Sequence, residues 1–135
     1  MESAELLIDT SIVIEHLRKS DKSRSILFNI PENVSLFVSS VTLFELQAGA
    51  TDQTKHKDIT RVLKGIAVLP FDAASAVESG NIFQKLNSSN KRIEIRDLFI
   101  AAVAKANALP LLTLNVKHFE RVPGLNIASN FMNNI

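Results

Sequence analysis

The chain has 135 residues, of which 46% are hydrophobic and 21% charged, a balance typical of one folded domain rather than of a disordered or membrane-rich chain. Its 15 basic and 14 acidic residues give a net charge of +1, so any affinity for nucleic acid must come from local groups of cations. The absence of cysteine excludes disulfides, thiolate zinc sites and a cysteine nucleophile. We expect a single domain over residues 1–135.

The N-terminal residues and the length of the apolar runs predict a soluble protein. The first five residues, MESAE, are acidic, unlike the basic start of a signal peptide. The longest fully apolar run, residues 98–104, is far shorter than the roughly 20 residues that cross a bilayer. We therefore expect a cytoplasmic protein with no membrane partner.

Short apolar runs alternate with longer segments of helical period along the chain. The runs, interpreted as strands, are 6–8, 36–38, 66–69, 111–114 and a weaker one at 125–128. The segments between them, interpreted as helices, are about 11–18, 21–30, 41–50, 55–64, 73–88 and 95–108, with a short turn near 115–121. This alternation predicts a three-layer α/β sandwich with a central, mostly parallel sheet of about five strands.

Polar side chains follow several of these predicted strands, where ligands of open α/β sheets bind. Asp9 follows the first run, Asn115 follows the fourth, and Glu45 and Asp97 lie near the starts of two predicted helices. In a parallel sheet these four residues can meet at one edge. Clustered carboxylates raise one another's pKa unless a cation neutralises them, and oxygen ligands suit Mg²⁺ or Mn²⁺.

Each acid also has a purely structural interpretation. Asp9 is a good N-cap for the helix that follows, and Thr42 with Glu45 fits the T-x-x-E capping box. A carboxylate at Asp97 is favoured by the helix dipole whatever its function. Glu94 lies on the same face of that helix, and two like charges there call for a nearby cation.

Four segments together resemble the PIN-domain ribonucleases, and among them the VapC-type toxins of toxin–antitoxin pairs. They are LLIDTSIVIEHL, VSSVTLFELQAGA, VLPFD and IRDLFIAAVAKANALPLLTLNVKHFERVPGL, and the resemblance extends from residue 6 to about residue 127. It implies a metal-dependent ribonuclease that acts as the toxin of a type II toxin–antitoxin system, with Mg²⁺ or Mn²⁺ as cofactor. It also implies a VapB-type antitoxin partner and a homodimer.

The resemblance further implies a role for each acid. Asp9 and Asp97 match the metal-binding acids, and Glu45 matches the acid that positions or deprotonates the attacking water. Asn115 falls where the family has Asp or Asn, so it completes the catalytic set without adding charge. Two hydroxyl residues, Thr10 and Thr113, match the groups that orient these side chains.

Basic residues lie just before Asp97 and just after Asn115 in the sequence. The candidates for binding RNA phosphates are Lys91, Arg92, Arg96, Lys117 and Arg121. With no Trp or Tyr, and with most of the phenylalanines expected in the core, stacking on RNA bases is expected to contribute little.

The main alternative function is a catalytically weak or inactive PIN domain that acts as a protein- or RNA-binding regulatory module. Asn115 leaves this alternative open, because an amide carries no charge. Other metal-binding α/β classes fit less well. A D-x-D-x-T phosphatase needs an acid where Ser11 stands, and a receiver domain needs paired acids after the first strand.

Overall fold

The computed structural model describes residues 4–128, in which helices cover both faces of a parallel sheet. The predicted α/β class and the central parallel sheet are confirmed. In chain order the elements are β1 (Glu5–Ile8), α1 (Thr10–Arg18), a 3₁₀ turn (Lys22–Arg24), β2 (Ser35–Ser39), α2 (Ser40–Gly49), α3 (Gln53–Leu63), β3 (Ala67–Leu69), α4 (Ala73–Ser88), α5 (Ile95–Ala106), β4 (Leu111–Leu112) and α6 (Val116–Phe119).

The strand order is β3-β2-β1-β4, and every neighbouring pair is parallel. The central strand β1 aligns Leu7 with Phe37 of β2 and with Leu111 of β4. The carboxyl ends of these three strands therefore lie on one edge of the sheet. That edge receives Asp9 directly after β1 and Thr113 directly after β4.

The sheet has four strands in the described part of the chain, where about five were expected. The run at 125–128 does not form a strand; it contributes one isolated parallel bridge between Leu111 and Ile127. The fourth run is also shorter than predicted, because β4 ends at Leu112 and the hydroxyl of Thr113 turns towards Asp9. A two-residue strand offers little backbone for a further neighbour to pair with.

The predicted helix at 21–30 was wrong. Only the 3₁₀ turn Lys22–Arg24 is helical there. Side chains share the bonding there with isolated backbone turns: the amide of Phe28 donates to Ser25 Oγ (3.0 Å), and Asn29 Nδ2 donates to the carbonyl of Ser25 (2.8 Å). Such local bonds compete with helix formation.

Two apolar clusters fill the space on either side of the sheet. Side chains alternate along β1, so Leu7 packs with α4 and α5, whereas Leu6 and Ile8 pack against α1 and α3. Helix α5 contributes the buried run 100–104, whose alanines allow close approach of α4. This packing fixes α5 relative to β1, and so fixes Asp97 relative to Asp9. None of the described helices has the length and apolar character that crossing a membrane requires.

Candidate active site

Asp9 is the most buried acid of the sheet edge, with 2% of its surface exposed. It caps α1, as predicted, because Oδ1 accepts from the amide of Ser11 (3.1 Å) and from the Ser11 hydroxyl. Its Oδ2 accepts from Thr113 Oγ1 at 2.8 Å. Burial raises the pKa of Asp9 to about 6, and the negative charge of Asp97 adds to this effect, while the Ser11 and Thr113 hydrogen bonds oppose it.

Thr113 joins the loop after β4 to the end of β1. Its hydroxyl donates to Asp9 and accepts from the amide of Asn115 (2.9 Å), and the amide of Leu114 donates to Ser11 Oγ (3.0 Å). Two separate strand ends are therefore held together by side-chain hydroxyls around one carboxylate.

Glu45 lies on α2 and is also held by a hydroxyl. Thr10 Oγ1 donates to Glu45 Oε1 (2.8 Å) and lies 3.0 Å from Thr42 Oγ1. Because a hydroxyl has one proton, Thr10 must accept from Thr42 while it donates to Glu45. The capping-box interpretation was wrong: Ser39 caps α2 through the amide of Thr42 (3.1 Å), and Glu45 turns to Thr10 instead.

Asp97 lies in the first turn of α5, and 16% of its side chain is exposed. Burial raises its pKa, the charges of Glu94 and Glu45 raise it further, and His118 and Arg96 oppose the rise. Since Asp97 also raises the pKa of Asp9, these acids lie within electrostatic reach of one another. His118 Nδ1 is 3.8 Å from Asp97 Oδ2, a contact that the sequence did not indicate.

Arg96 links two further acids at the same place. Its Nε donates to Glu94 Oε1 at 2.6 Å, and its Nη1 lies 3.5 Å from Glu45 Oε2. Arg96 thus supplies, from the chain itself, the cation that the like charges of Glu94 and Asp97 call for. Of the predicted RNA-binding residues, this one is already engaged by carboxylates.

Asn115 stands at the start of α6 with an exposed side chain. It borders an open cleft of about 590 Å³ whose wall includes Ser11, Ile14 and Arg18. Its backbone is tied to Thr113, which brings it to the same edge as Asp9. The four predicted catalytic residues therefore come from four elements that meet around this edge.

The acids suit a divalent ion that keeps most of its waters. Within residues 4–128, no three His, Asp or Glu side chains form a group that could hold a metal by itself. Mg²⁺ is usually held by only one or two carboxylates plus water and substrate oxygens. Asp9 and Asp97 fit that pattern, because burial and nearby negative charges raise the pKa of both carboxyls, and a cation would offset both effects.

The remaining basic candidates lie close to the acids in sequence but differ in surroundings. Lys91 and Arg92 line a small cavity of about 220 Å³ with Phe83 and Ile93. Arg121 Nη1 donates to the carbonyl of Arg92 (2.7 Å), which joins the two predicted basic groups. Lys117 is exposed on α6.

The phenylalanines are less buried than expected. Phe28, Phe44 and Phe83 are all more than half exposed, and among the described phenylalanines Phe119 is the fully buried one. Aromatic faces are therefore available at the surface, contrary to the sequence-based expectation.

Sequence and structure comparisons agree with this geometry. A family model described as "PIN domain" matches residues 6–125. Ribonuclease VapC10 of Mycobacterium tuberculosis is 32% identical over 114 residues, covering 84% of this chain and 85% of the relative. A tRNA(fMet)-specific endonuclease VapC of Shigella flexneri is 33% identical over 123 residues, covering 88% and 92%.

A solved structure resembles the fold closely. A chain in the crystal structure of VapBC2 from Rickettsia felis, bound to a DNA fragment from its promoter, superposes with a TM-score of 0.83 at 26% identity. The match covers 92% of this chain and 97% of that one. The range that the family model matches, 6–125, spans the four predicted catalytic positions. The chain belongs to the PIN-domain family, among its VapC ribonucleases.

Proposed function

We propose that the protein is a metal-dependent endoribonuclease that hydrolyses RNA phosphodiester bonds as the toxin of a toxin–antitoxin pair. The observation that carries the proposal is a chain of contacts that joins the acids at the carboxyl edge of the sheet. Thr10, the residue after Asp9, donates to Glu45 Oε1 at 2.8 Å, and Arg96, the residue before Asp97, lies 3.5 Å from Glu45 Oε2. A protein that only needed a helix cap would gain nothing from a second acid near a buried carboxylate. A nuclease would gain a place for Mg²⁺ or Mn²⁺.

Asp9 and Asp97 would hold the ion, directly or through water. When bound, a divalent ion lowers the pKa of water and offsets the negative charge that develops on the phosphate. Thr113 and Ser11 keep the Asp9 carboxylate oriented through hydrogen bonds to its two oxygens. A bound cation would lower the raised pKa values of Asp9 and Asp97 and so favour their ionised forms.

Glu45 would orient or deprotonate the attacking water. Thr10 donates to Oε1 at 2.8 Å, whereas Oε2 has a longer contact, 3.5 Å, with Arg96. Oε2 is therefore the oxygen that would turn towards water when Arg96 moves aside. Asn115, at the rim of the cleft, would donate or accept a hydrogen bond without changing the charge. Attack by water rather than by the RNA 2′-hydroxyl would leave a 5′-phosphate and a 3′-hydroxyl.

Lys91, Arg92, Lys117 and Arg121 would contact the RNA backbone around the acids. They are exposed, and phosphate contacts of this kind fix the register of a nucleic acid without reading its sequence. Initiator tRNA is a first substrate to test, because the relative from Shigella flexneri is named for its action on it.

A VapB-type antitoxin would bind the surface formed by α1, α2 and the segment between α1 and β2. Two large aromatic side chains there, Phe28 and Phe44, are 61% and 60% exposed. Exposed apolar side chains of this kind suit a surface that binds the apolar face of a helical peptide. The solved relative is a VapBC assembly. We also propose that the protein forms a homodimer, which size-exclusion chromatography with light scattering tests.

The function is tested by cleavage of initiator tRNA and total RNA with Mg²⁺, followed by analysis of the new ends. We expect Asp9→Asn to abolish cleavage, whereas Asp72→Asn, the same change at the N-cap of α4, should retain it. Products with 2′,3′-cyclic phosphates, or cleavage that survives EDTA, would contradict the proposal. Unimpaired antitoxin or RNA binding without any cleavage by the wild type would favour the inactive regulatory module.

A further inference from the structure

The carboxylate of Glu45 is held at both oxygens. Thr10 donates to Oε1 at 2.8 Å, and Arg96 Nη1 lies 3.5 Å from Oε2. Arg96 is itself fixed from the other side, because its Nε donates to Glu94 Oε1 at 2.6 Å. The guanidinium therefore bridges two acids that come from α2 and from the residue before α5.

This bridge stands directly beside Asp97. In the described part of the chain, the ion pairs to Glu45, Glu94 and Asp97 come from Arg96 and His118. A histidine carries charge only when protonated, whereas a guanidinium is always charged in proteins. Arg96 is thus the permanent positive charge among the acids of this edge.

We propose that Arg96, paired with Glu45 and Glu94, is the chain's own counter-ion for the acidic site, and that it competes electrostatically with a divalent ion bound at the neighbouring Asp9 and Asp97. This inference rests on the proposed metal-dependent function. Arg96 compensates the acids when no metal is bound, and it repels a divalent ion that enters beside it. The side chain is 47% exposed, so it can turn outward into water when metal binds.

The exchange is energetically feasible because the bridge is weak. Ion pairs of exposed side chains contribute little to stability, since water screens them. A divalent ion at Asp9 and Asp97 would bring twice the positive charge of the guanidinium to the same group of acids. Once released, the planar guanidinium is free to bind an RNA phosphate through two parallel hydrogen bonds, which would explain a basic residue at this position.

The test is calorimetric titration of Mn²⁺ into the full-length, metal-free protein at low ionic strength, with no RNA present. We expect Arg96→Gln to bind Mn²⁺ about tenfold more tightly than the wild type, as removal of a unit charge near a divalent ion predicts. Arg96→Lys keeps the charge and should stay within about twofold of the wild type.

The matched control is Arg61→Gln. Arg61 is an exposed arginine on α3 that pairs with Asp58 at 3.4 Å, so the variant makes the same change in net charge away from the acids. It should leave Mn²⁺ affinity unchanged. At about 0.5 M salt, the difference between Arg96→Gln and the wild type should shrink, because ions screen the repulsion.

Two results separate this inference from the function it rests on. If the wild type binds Mn²⁺ and Asp97→Asn does not, but Arg96→Gln equals the wild type or binds more weakly, the competition is refuted and the metal site stands. If the wild type shows no saturable Mn²⁺ binding that depends on Asp97, the metal site fails and the competition fails with it.

Discussion

Replacing Asp9 by Asn should stabilise the metal-free protein at neutral pH while removing its activity. Asp9 is buried, and its pKa rises from 3.8 to about 6 in the folded state. The ionised side chain therefore destabilises the fold by as much as about 3 kcal/mol, the equivalent of about two pKa units. Asn keeps the size of the side chain and the ability to cap α1.

The pH dependence has a defined sign. A raised carboxyl pKa means that the folded state binds the proton more tightly than the unfolded state, so this contribution to stability falls as pH rises from 3.8 to about 6. We expect Asp9→Asn to exceed the wild type by up to about 3 kcal/mol at pH 8 and to match it near pH 4. Urea unfolding in EDTA, repeated at each pH, measures the difference.

Asp72→Asn is a control for which the expected change in unfolding free energy has the opposite sign. Hydrogen bonds from Ser75 lower the pKa of Asp72, so this ionised carboxylate stabilises the fold at neutral pH and ceases to do so in acid. The variant should be less stable than the wild type at pH 8, with the deficit vanishing at low pH. An Asp9→Asn protein that is less stable than the wild type throughout, or a difference that does not vary with pH, would refute the reasoning.

Three further changes probe other parts of the structure. Thr113→Val should lower the unfolding free energy by about 1–3 kcal/mol, measured by urea titration, because the Thr113 hydroxyl that donates to buried Asp9 is lost. Thr10→Val should reduce kcat for RNA cleavage more than it raises KM, because it frees Glu45 without touching the exposed basic residues; an increase in KM alone would contradict that role. Ile100→Ala, in the buried part of α5, should cost about 2–5 kcal/mol and lower the melting temperature, and a cost below 1 kcal/mol would show that α5 is not packed as described.

The order of elements was predictable from the sequence because apolar runs of strand length alternate with segments of helical period. Asp9 was also predictable, since an acid at the end of a buried run is unusual. The failures share a physical cause. Ser25, Ser39 and Thr113 direct the backbone through side-chain hydrogen bonds, and such bonds leave no trace in hydrophobic periodicity.

The partners of the acids were the least predictable part of the site. The contact of Arg96 with Glu45 joins residues 51 positions apart, and that of Asp97 with His118 joins α5 to α6. Charge spacing within one helix can suggest that Glu94 and Asp97 need a cation. It cannot reveal which element supplies it, because that depends on how α2, α5 and α6 pack around the sheet.

The central claim is that Asp9 and Asp97 share one divalent ion, and paramagnetic broadening of assigned backbone amide signals by Mn²⁺ tests it most directly. The account predicts selective loss of signals from residues around Asp9, Asp97 and Thr113 at substoichiometric Mn²⁺, and recovery of those signals in Asp97→Asn. Broadening centred elsewhere in the chain, or identical broadening in wild type and variant, would contradict it.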